Sequence, residues 1–245
     1  MTPARLAELI RAHQPCVVLT GAGVSTESGI PDFRSPGGLW AEFDPLDYAS
    51  LDSFRRDPVR IWSFYGRRFA FLTRAEPNDA HHALALLERI GLVAAVVTQN
   101  IDLLHERAGS REVLEVHGSI RRAVCLACGG SEPLAEVLAQ LESAPAPVCP
   151  ACREVLKPDV VFFGELLPAG VLERAAELAR SARLLLVVGS SLEVHPVAGL
   201  PFETLRHGGA LAIVNRDRTP LDEHADLRLD GSAGAILGEV AALLG

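Results

Sequence analysis

The chain has 245 residues, of which 49% are hydrophobic, 22% charged and 5% aromatic. That is enough apolar material for one large domain or a domain with an insertion, and it excludes a disulfide miniprotein, a disordered tail and a collagen-like chain. With 31 acidic against 23 basic residues the net charge is −8, so no nucleic-acid or membrane partner is expected, because both need a basic face. Lys157 is the only lysine; every other basic residue is arginine.

In chain order, residues 1–14 read as a short amphipathic helix without the apolar stretch and cleavage site of a secretory signal. No run approaches the ~18 apolar residues of a membrane span, and a cytoplasmic location is the expectation. Short apolar runs at 16–20, 92–98, 160–163, 184–188 and 211–214 are apolar on both faces, as buried parallel strands are. Helical patterns at 78–90 and 168–181 lie between them. Strand alternating with helix predicts a doubly wound parallel α/β sheet, with ligands at the C-terminal ends of its strands. Two stretches break the alternation. Residues 35–77 hold helical patches divided by prolines and glycines, and residues 121–158 hold four of the five cysteines. The expected organisation is a large domain from 1–34, 78–120 and 159–245, with insertions 35–77 and 121–158 forming a small one.

The first predicted strand runs into Gly21-Ala22-Gly23-Val24-Ser25-Thr26. Two glycines let a backbone approach a diphosphate closely, and a following helix would direct free N–H groups at it. The third glycine position of the dinucleotide fingerprint holds Thr26, and no acidic residue clearly ends a second strand. On loop chemistry alone a tight strand-to-helix turn reads equally well.

The cysteines Cys125, Cys128, Cys149 and Cys152 are spaced C-x2-C-x20-C-x2-C. Two such knuckles can present four thiolates to one tetrahedral zinc, at about 2.3 Å from each sulfur. The alternatives are a redox pair or a chance cluster. A site closed by four thiolates leaves no open position for water, so a zinc there is structural. Cys16, on a predicted buried strand, reads as a small core residue.

The segment 21–40 reads GAGVSTESGIPDFRSPGGLW. It is followed by Thr98-Gln99-Asn100-Ile101-Asp102, Val116-His117-Gly118, Gly189-Ser190-Ser191 and Val214-Asn215, each at or just beyond the end of a predicted strand. This combination resembles the sirtuins, the NAD-dependent protein deacylases, over residues 16–240. The resemblance implies a Rossmann-type large domain, a small zinc-bearing domain, one structural zinc, and acyl-lysine proteins or peptides as substrates. NAD is then consumed as a co-substrate. The acyl oxygen attacks its ribose carbon as nicotinamide leaves, and the products are free lysine, nicotinamide and O-acyl-ADP-ribose.

The resemblance also implies roles for individual residues. His117 matches the general base, for which an imidazole titrating near neutrality is suited. Gln99, Asn100, Ile101 and Asp102 match the pocket for ribose and nicotinamide, with Asn100 and Asp102 in catalytic positions. Gly21, Ala22, Gly23 and Thr26 match the diphosphate loop. Asp32, Phe33, Arg34 and Trp40 match a cofactor loop in which Phe33 shields the ribose carbon from water and Arg34 reaches phosphate. Gly189, Ser190, Ser191, Asn215, Arg216 and Asp217 match the adenosine side, with Ala233 against adenine. Val161, Phe163 and Gly164 match one peptide-clamping segment, and Leu192, Glu193 and Val194 the other, the peptide adding as a strand.

Tyr65 and Arg68, three apart on a predicted helix, share one face. A phenol and a guanidinium can bind a carboxylate, and the pair resembles the branch that removes succinyl and malonyl groups. Thr26 before Glu27, Asp32 before Phe33, and Pro36 resemble the deacetylases instead. Two other classes use the same pocket: protein mono-ADP-ribosyltransfer, and a non-enzymatic module in which bound NAD controls a zinc-ribbon interaction. A dehydrogenase is not expected, since no residue is evidently placed for hydride chemistry.

Overall fold

In the computed structural model, which describes residues 2–33, 35 and 37–245, the first sheet contains β1 (Cys16–Thr20), β2 (Ala95–Thr98) and β3 (Val113–Glu115). A second sheet takes β4 (Gly118–Val124), β5 (Ser131–Pro133) and β6 (Lys157–Val160), and β7 (Leu184–Val188), β8 (Ala210–Asn215) and β9 (Leu227–Asp230) return to the first. The first sheet is parallel throughout, in the order β3-β2-β1-β7-β8-β9. This is the Rossmann-like doubly wound order. The direction of winding reverses between β1 and β7, the place where such sheets bind ligands.

The central strands are apolar at nearly every position because both faces are covered. Cys16, Val18, Leu184, Leu186, Val188, Ala212 and Val214 share one core with the helices Pro3–Ala12, Asp79–Arg89 and Ala233–Leu244. The alternate residues Val17, Leu19, Leu185, Val187, Leu211 and Ile213 are equally buried. They point to the other face, where the helices Ala169–Ser181 and Leu200–Arg206 pack on each other and against the sheet. Burial of each Val or Leu contributes about 1.5–3 kcal/mol. Burial alone pushes the Cys16 thiol up to about 12, so it is an inert core group, as expected.

The chain divides into two compact units. The first holds Met1–Asp32, Glu76–Val116 and Pro168–Gly245, and the second holds Phe33–Ala75 and His117–Leu167. In the second unit β4 pairs antiparallel with both β5 and β6. The apolar run at 160–163, expected to be a strand of the parallel sheet, is not one. The strand there is β6, which ends at Val160 and belongs to the antiparallel sheet. An apolar run alone does not reveal its partner. The helix Pro58–Leu72 starts on an Asp57 cap with proline in its first turn. It supplies Ile61, Trp62, Tyr65 and Phe69 to the core of this unit, and the Trp62 indole N–H donates to Leu156 O at 2.6 Å. Among the described residues, no helix is long and apolar enough to cross a membrane.

The helix Asp79–Arg89 opens on a capping box. Asn78 Oδ1 accepts from the amides of Ala80 and His81, and the His81 ring accepts from the Asn78 amide through Nδ1. The His81 ring meets His105 edge-on at 4.8 Å between centroids. Burial, then His82, holds His81 down to about 4; burial, then His81, holds His105 down to about 3. Both rings are neutral at pH 7. In the unfolded chain a histidine titrates near 6.5, so below that pH the unfolded state binds more protons. Stability from this pair is complete above pH ~6.5 and is lost as pH falls toward about 3. Urea unfolding between pH 6 and 4 should show His105→Gln relieving up to about 1.4 kcal/mol per pH unit of the parent's decline. An unchanged slope would contradict this assignment.

Candidate functional site

At the switch point the loops after β1 and β7 meet backbone to backbone. Gly21 N–H donates to Val188 O at 3.2 Å, Gly23 N–H to Gly189 O at 2.8 Å, and Gly189 N–H to Val214 O at 2.9 Å. A Cβ on Gly21 or Gly23 would lie 2.8 Å from Gly189, and one on Gly189, whose φ is +61°, would strike Val24 N. The glycines expected for a diphosphate are thus required by the crossing of the two loops itself. The helix expected there is a 3-10 helix, Ala22–Ser28, which includes Gly23 and is closed by Gly29 in the left-handed region. The Thr26 hydroxyl is spent on Gly23 O at 3.0 Å.

The loop after β2 closes over this crossing through side chains. Asn100 Nδ2 donates to Gly21 O at 3.2 Å and to Ser25 Oγ at 3.1 Å, and Ser25 Oγ donates to Asp102 Oδ2 at 2.7 Å. Asp102 Oδ1 accepts from the Leu104 amide at 3.0 Å. Gln99 Nε2 reaches Ser190 Oγ at 2.8 Å and Thr20 O at 3.3 Å. Beneath them Thr20 Oγ1 lies 2.9 Å from both Thr98 Oγ1 and His105 Nε2. Asn100 and Asp102 are buried. Burial raises the Asp102 pKa, and the hydrogen bonds from Leu104 and Ser25 work against that rise. A buried carboxylate with one donor on each oxygen keeps acceptor capacity, since each oxygen can take two.

Two residues here hold the left-handed conformation without being glycine: Leu103 at φ 66° and Leu192 at φ 55°. Each costs roughly 1–2 kcal/mol. The Asp102 carboxylate on the Leu104 amide holds the first turn, and Ser190 Oγ accepts from the Leu192 amide at 3.2 Å in the second. Glu193 is exposed, and Val194, Ser191 and Ile101 are half-buried. At the end of β8, Asn215 Nδ2 donates to Asp217 O at 2.9 Å, and Arg216 and Asp217 are exposed. Ala233 starts the last helix, where Gly234 N–H donates to Glu27 Oε1 at 2.9 Å. Ser25 and His81 are polar members of this network that sequence patterns did not single out. Ser25 lies inside the glycine loop and His81 follows a capping asparagine by three, and neither spacing is distinctive.

The other candidate residues lie in the second unit, apart from Asp32, which ends a segment of the first. Arg34 lies outside the described residues. Phe33 stacks on Trp40 at 5.3 Å, and the Trp40 amide donates to Phe33 O at 2.9 Å. His117 immediately precedes β4, and its carbonyl accepts from the Val161 amide at 2.8 Å. Gly118, at φ +76°, is required there because a Cβ would collide with Asp159 O. Phe163 bridges to Ser50, with Phe163 N–H on Ala49 O at 2.7 Å and Leu51 N–H on Phe163 O at 3.0 Å. Gly164 turns the chain at φ +88°.

Tyr65 is buried among Phe64, Phe69 and Phe162, and burial drives its phenol upward. Arg68 is half-buried, with its guanidinium 3.5 Å from the Phe64 ring centroid and an N–H on Phe64 O at 3.1 Å. Burial lowers its pKa, against the pull of Tyr65 and Glu42.

Cys125, Cys128, Cys149 and Cys152 bring four sulfurs within 4.8 Å of one another. Three of the gaps are 3.4, 3.6 and 3.6 Å, too long for a disulfide and close to the roughly 3.8 Å edge of a tetrahedral four-thiolate site. The knuckles repeat one turn. Gly129 N–H donates to Cys125 O and Arg153 N–H to Cys149 O, while Cys125 N–H donates to Gly130 O and Cys149 N–H to Glu154 O. Gly129 and Arg153, in matching positions, are both left-handed, at φ 74° and 69°. The amide of Cys128, with that of Ala127, holds the Cys125 thiol at about 7. Against the Glu154 amide, crowding by the Cys125 sulfur, followed by burial, pushes Cys152 up to about 12. The four cysteines are positioned for a metal ion, whose charge would hold all four sulfurs as thiolates.

A profile of the Sir2 family matches residues 21–196. The chain is 43% identical over 236 residues to NAD-dependent protein deacylase 1 of Archaeoglobus fulgidus, covering 96% of this chain and 95% of that one. It is 45% identical over 237 residues to an NAD-dependent protein deacetylase of Sulfolobus acidocaldarius, covering 96% and 92%. A Sir2 variant solved with a deacetylated peptide and 3′-O-acetyl-ADP-ribose superimposes with a TM-score of 0.95 at 40% identity, over 99% of this chain and 98% of that one. A parallel sheet with the crossed glycine loops at its switch point, a four-cysteine cluster and this likeness from end to end make the chain a member of the Sir2 family.

Proposed function

We propose that the protein is an NAD-dependent protein lysine deacylase that releases nicotinamide, free lysine and O-acyl-ADP-ribose. The observation that carries this reading is the 43–45% identity, across about 96% of the chain, to proteins that bear that activity in their names. NAD, when bound, supplies a ribose carbon that nicotinamide leaves and an acyl oxygen joins. The donor set suits it. Asn100 spends both N–H groups on Gly21 O and Ser25 Oγ, so its carbonyl oxygen is left as an acceptor for a hydroxyl, and Asp102 has acceptor capacity for a carboxamide N–H. Their hydrogen bonds to the glycine loop fix both side chains before a ligand arrives, which reduces the ordering cost of binding.

His117 takes the general-base role and accepts a proton from a ribose hydroxyl. Its main chain is fixed by Val161 and by the glycine after it. Phe33, 37% exposed on its Trp40 platform, keeps water from the ribose carbon, with Asp32 and Arg34 on the same cofactor loop. Gly21, Ala22, Gly23 and Thr26 border the diphosphate. Gly189, Ser190, Ser191, Asn215, Arg216, Asp217 and Ala233 take the adenosine side, and Gln99 and Ile101 the ribose side. Peptide binds along Val161, Phe163 and Gly164 and along Leu192, Glu193 and Val194 by main-chain hydrogen bonds. Such bonding tolerates many target sequences. His117→Ala should lower deacylation by at least about 10²-fold while ADP-ribose still binds. A variant that deacylates as fast as the parent would remove His117 from the general-base role; a parent that binds NAD but turns over no acyl-peptide would point to the binding module, and protein-linked ADP-ribose as the product in mass spectra to the ADP-ribosyltransferase.

Zinc is the metal proposed for the four cysteines, as a cross-link that ties the two knuckles and takes no part in the reaction. Chelation should release about one zinc per chain, loosen the second unit and reduce activity with it. A metal-free preparation of full thermal stability and activity would exclude this role.

A second specificity is favoured by Arg68. A guanidinium lying on the Phe64 ring and partly shielded from water suits an acyl group that ends in a carboxylate, such as succinyl or malonyl. With Tyr65 beside it, Arg68→Met should reduce desuccinylation far more than deacetylation. Equal losses on the two peptides would assign Arg68 to packing.

A further inference from the structure

The only lysine of the chain is buried. Lys157 Nζ, at the start of β6, donates to Val160 O at 2.7 Å and Pro158 O at 2.9 Å, and meets Glu165 Oε2 at 2.9 Å. Three donors thus meet three acceptors, and the ammonium also lies 4.2 Å from the Phe162 ring centroid. Glu165 Oε2 accepts in turn from the Phe162 amide at 2.8 Å, and Glu165 N–H donates to Phe162 O at 3.0 Å. Every carbonyl that Lys157 holds, and the amide that its partner holds, lies between residues 158 and 162. On the same planar peptide as Val160 O, Val161 N–H donates to the carbonyl of His117.

A buried ammonium is costly unless it is fully paired, and an apolar side chain of the same size would fill the space at no such cost. What the charge adds here is direction. It draws Val160 O inward, and with Val160 O turned in, the Val161 amide faces His117 and the segment through Gly164 is set. Resting on the deacylase reading, we infer that Lys157 and Glu165 form a buried clamp that positions the peptide-binding segment 161–164 and the main chain of His117. They are positioning residues, acting through the backbone between them and touching no reacting atom.

The test compares the parent, Lys157→Met/Glu165→Gln, which removes the ion pair without leaving a lone charge, and Lys157→Arg, which keeps the cation. The double variant should lose roughly 10²-fold in kcat/KM for acyl-peptide, the scale of a small misplacement, while KM for NAD stays within about twofold. Lys157→Arg should recover most of that loss. A folded double variant with the parent's peptide kinetics, a KM for NAD raised as much as that for peptide, or an arginine variant no better than the double variant would each overturn the clamp. If the double variant does not fold, the parent still decides. Lysine labelled with 13C at Cε and 15N at Nζ gives a single side-chain signal, which saturating acyl-peptide should shift; a signal that does not move overturns the proposal. A parent that makes no O-acyl-ADP-ribose from any acyl-peptide would strike the deacylase reading itself, before any variant is compared.

Discussion

Two loops cross at the middle of the parallel sheet with no side chain between them. Gly21 and Gly23 lie against Gly189 so closely that a single added Cβ on any of the three would force the main chains apart. The polar apparatus hangs from this crossing. Asn100 is anchored on Gly21 O and Ser25, Ser25 on Asp102, and Gln99 on Ser190 and Thr20. Apart from the half-buried Gln99, these side chains are sheltered from water, where an unmatched hydrogen bond costs about 1–3 kcal/mol. The network therefore has few alternative arrangements. Widening the crossing by a methyl group would misplace the amide and the carboxylate together.

The second unit meets its constraints by a different route. It has a small three-stranded sheet and helices of four to fifteen residues, and its order comes from specific ties. A cluster of aromatic rings surrounds Tyr65 and Phe64. The Trp62 indole is hydrogen-bonded to Leu156 O. Two matching cysteine turns converge on one point, and Arg153 accepts a left-handed backbone so that its turn can match the one with Gly129. A chain tolerates such strain where something else holds the turn closed, which is what four sulfurs around a cation would do.

Much of this was legible in the residues. Runs such as Leu184–Val188 announced buried strands, the apolar spacing over 78–90 announced a helix, and the cysteine spacing announced a four-sulfur site. The order of short polar motifs after the strands carried the family resemblance. What was not legible was partnership. The apolar stretch after Val160 looks like a parallel strand but belongs beside an antiparallel sheet, because periodicity gives a residue's environment and not its neighbour. The glycine loop reads as room for a diphosphate, and the backbone that it admits within the chain is the loop after β7. Ser25 and His81 lacked a signal because serine and histidine acquire meaning only from what folding brings beside them.

The placement of Lys157 has a chemical corollary. Reactive acyl donors modify neutral, accessible amines, and the single ε-amine of this protein is enclosed, with its three protons directed at carbonyl and carboxylate oxygens. While folded, the protein offers no accessible lysine nitrogen on which such groups could accumulate. Cross-linkers and dyes directed at lysine would find it nearly invisible. It could work among high concentrations of acyl thioesters without becoming its own substrate.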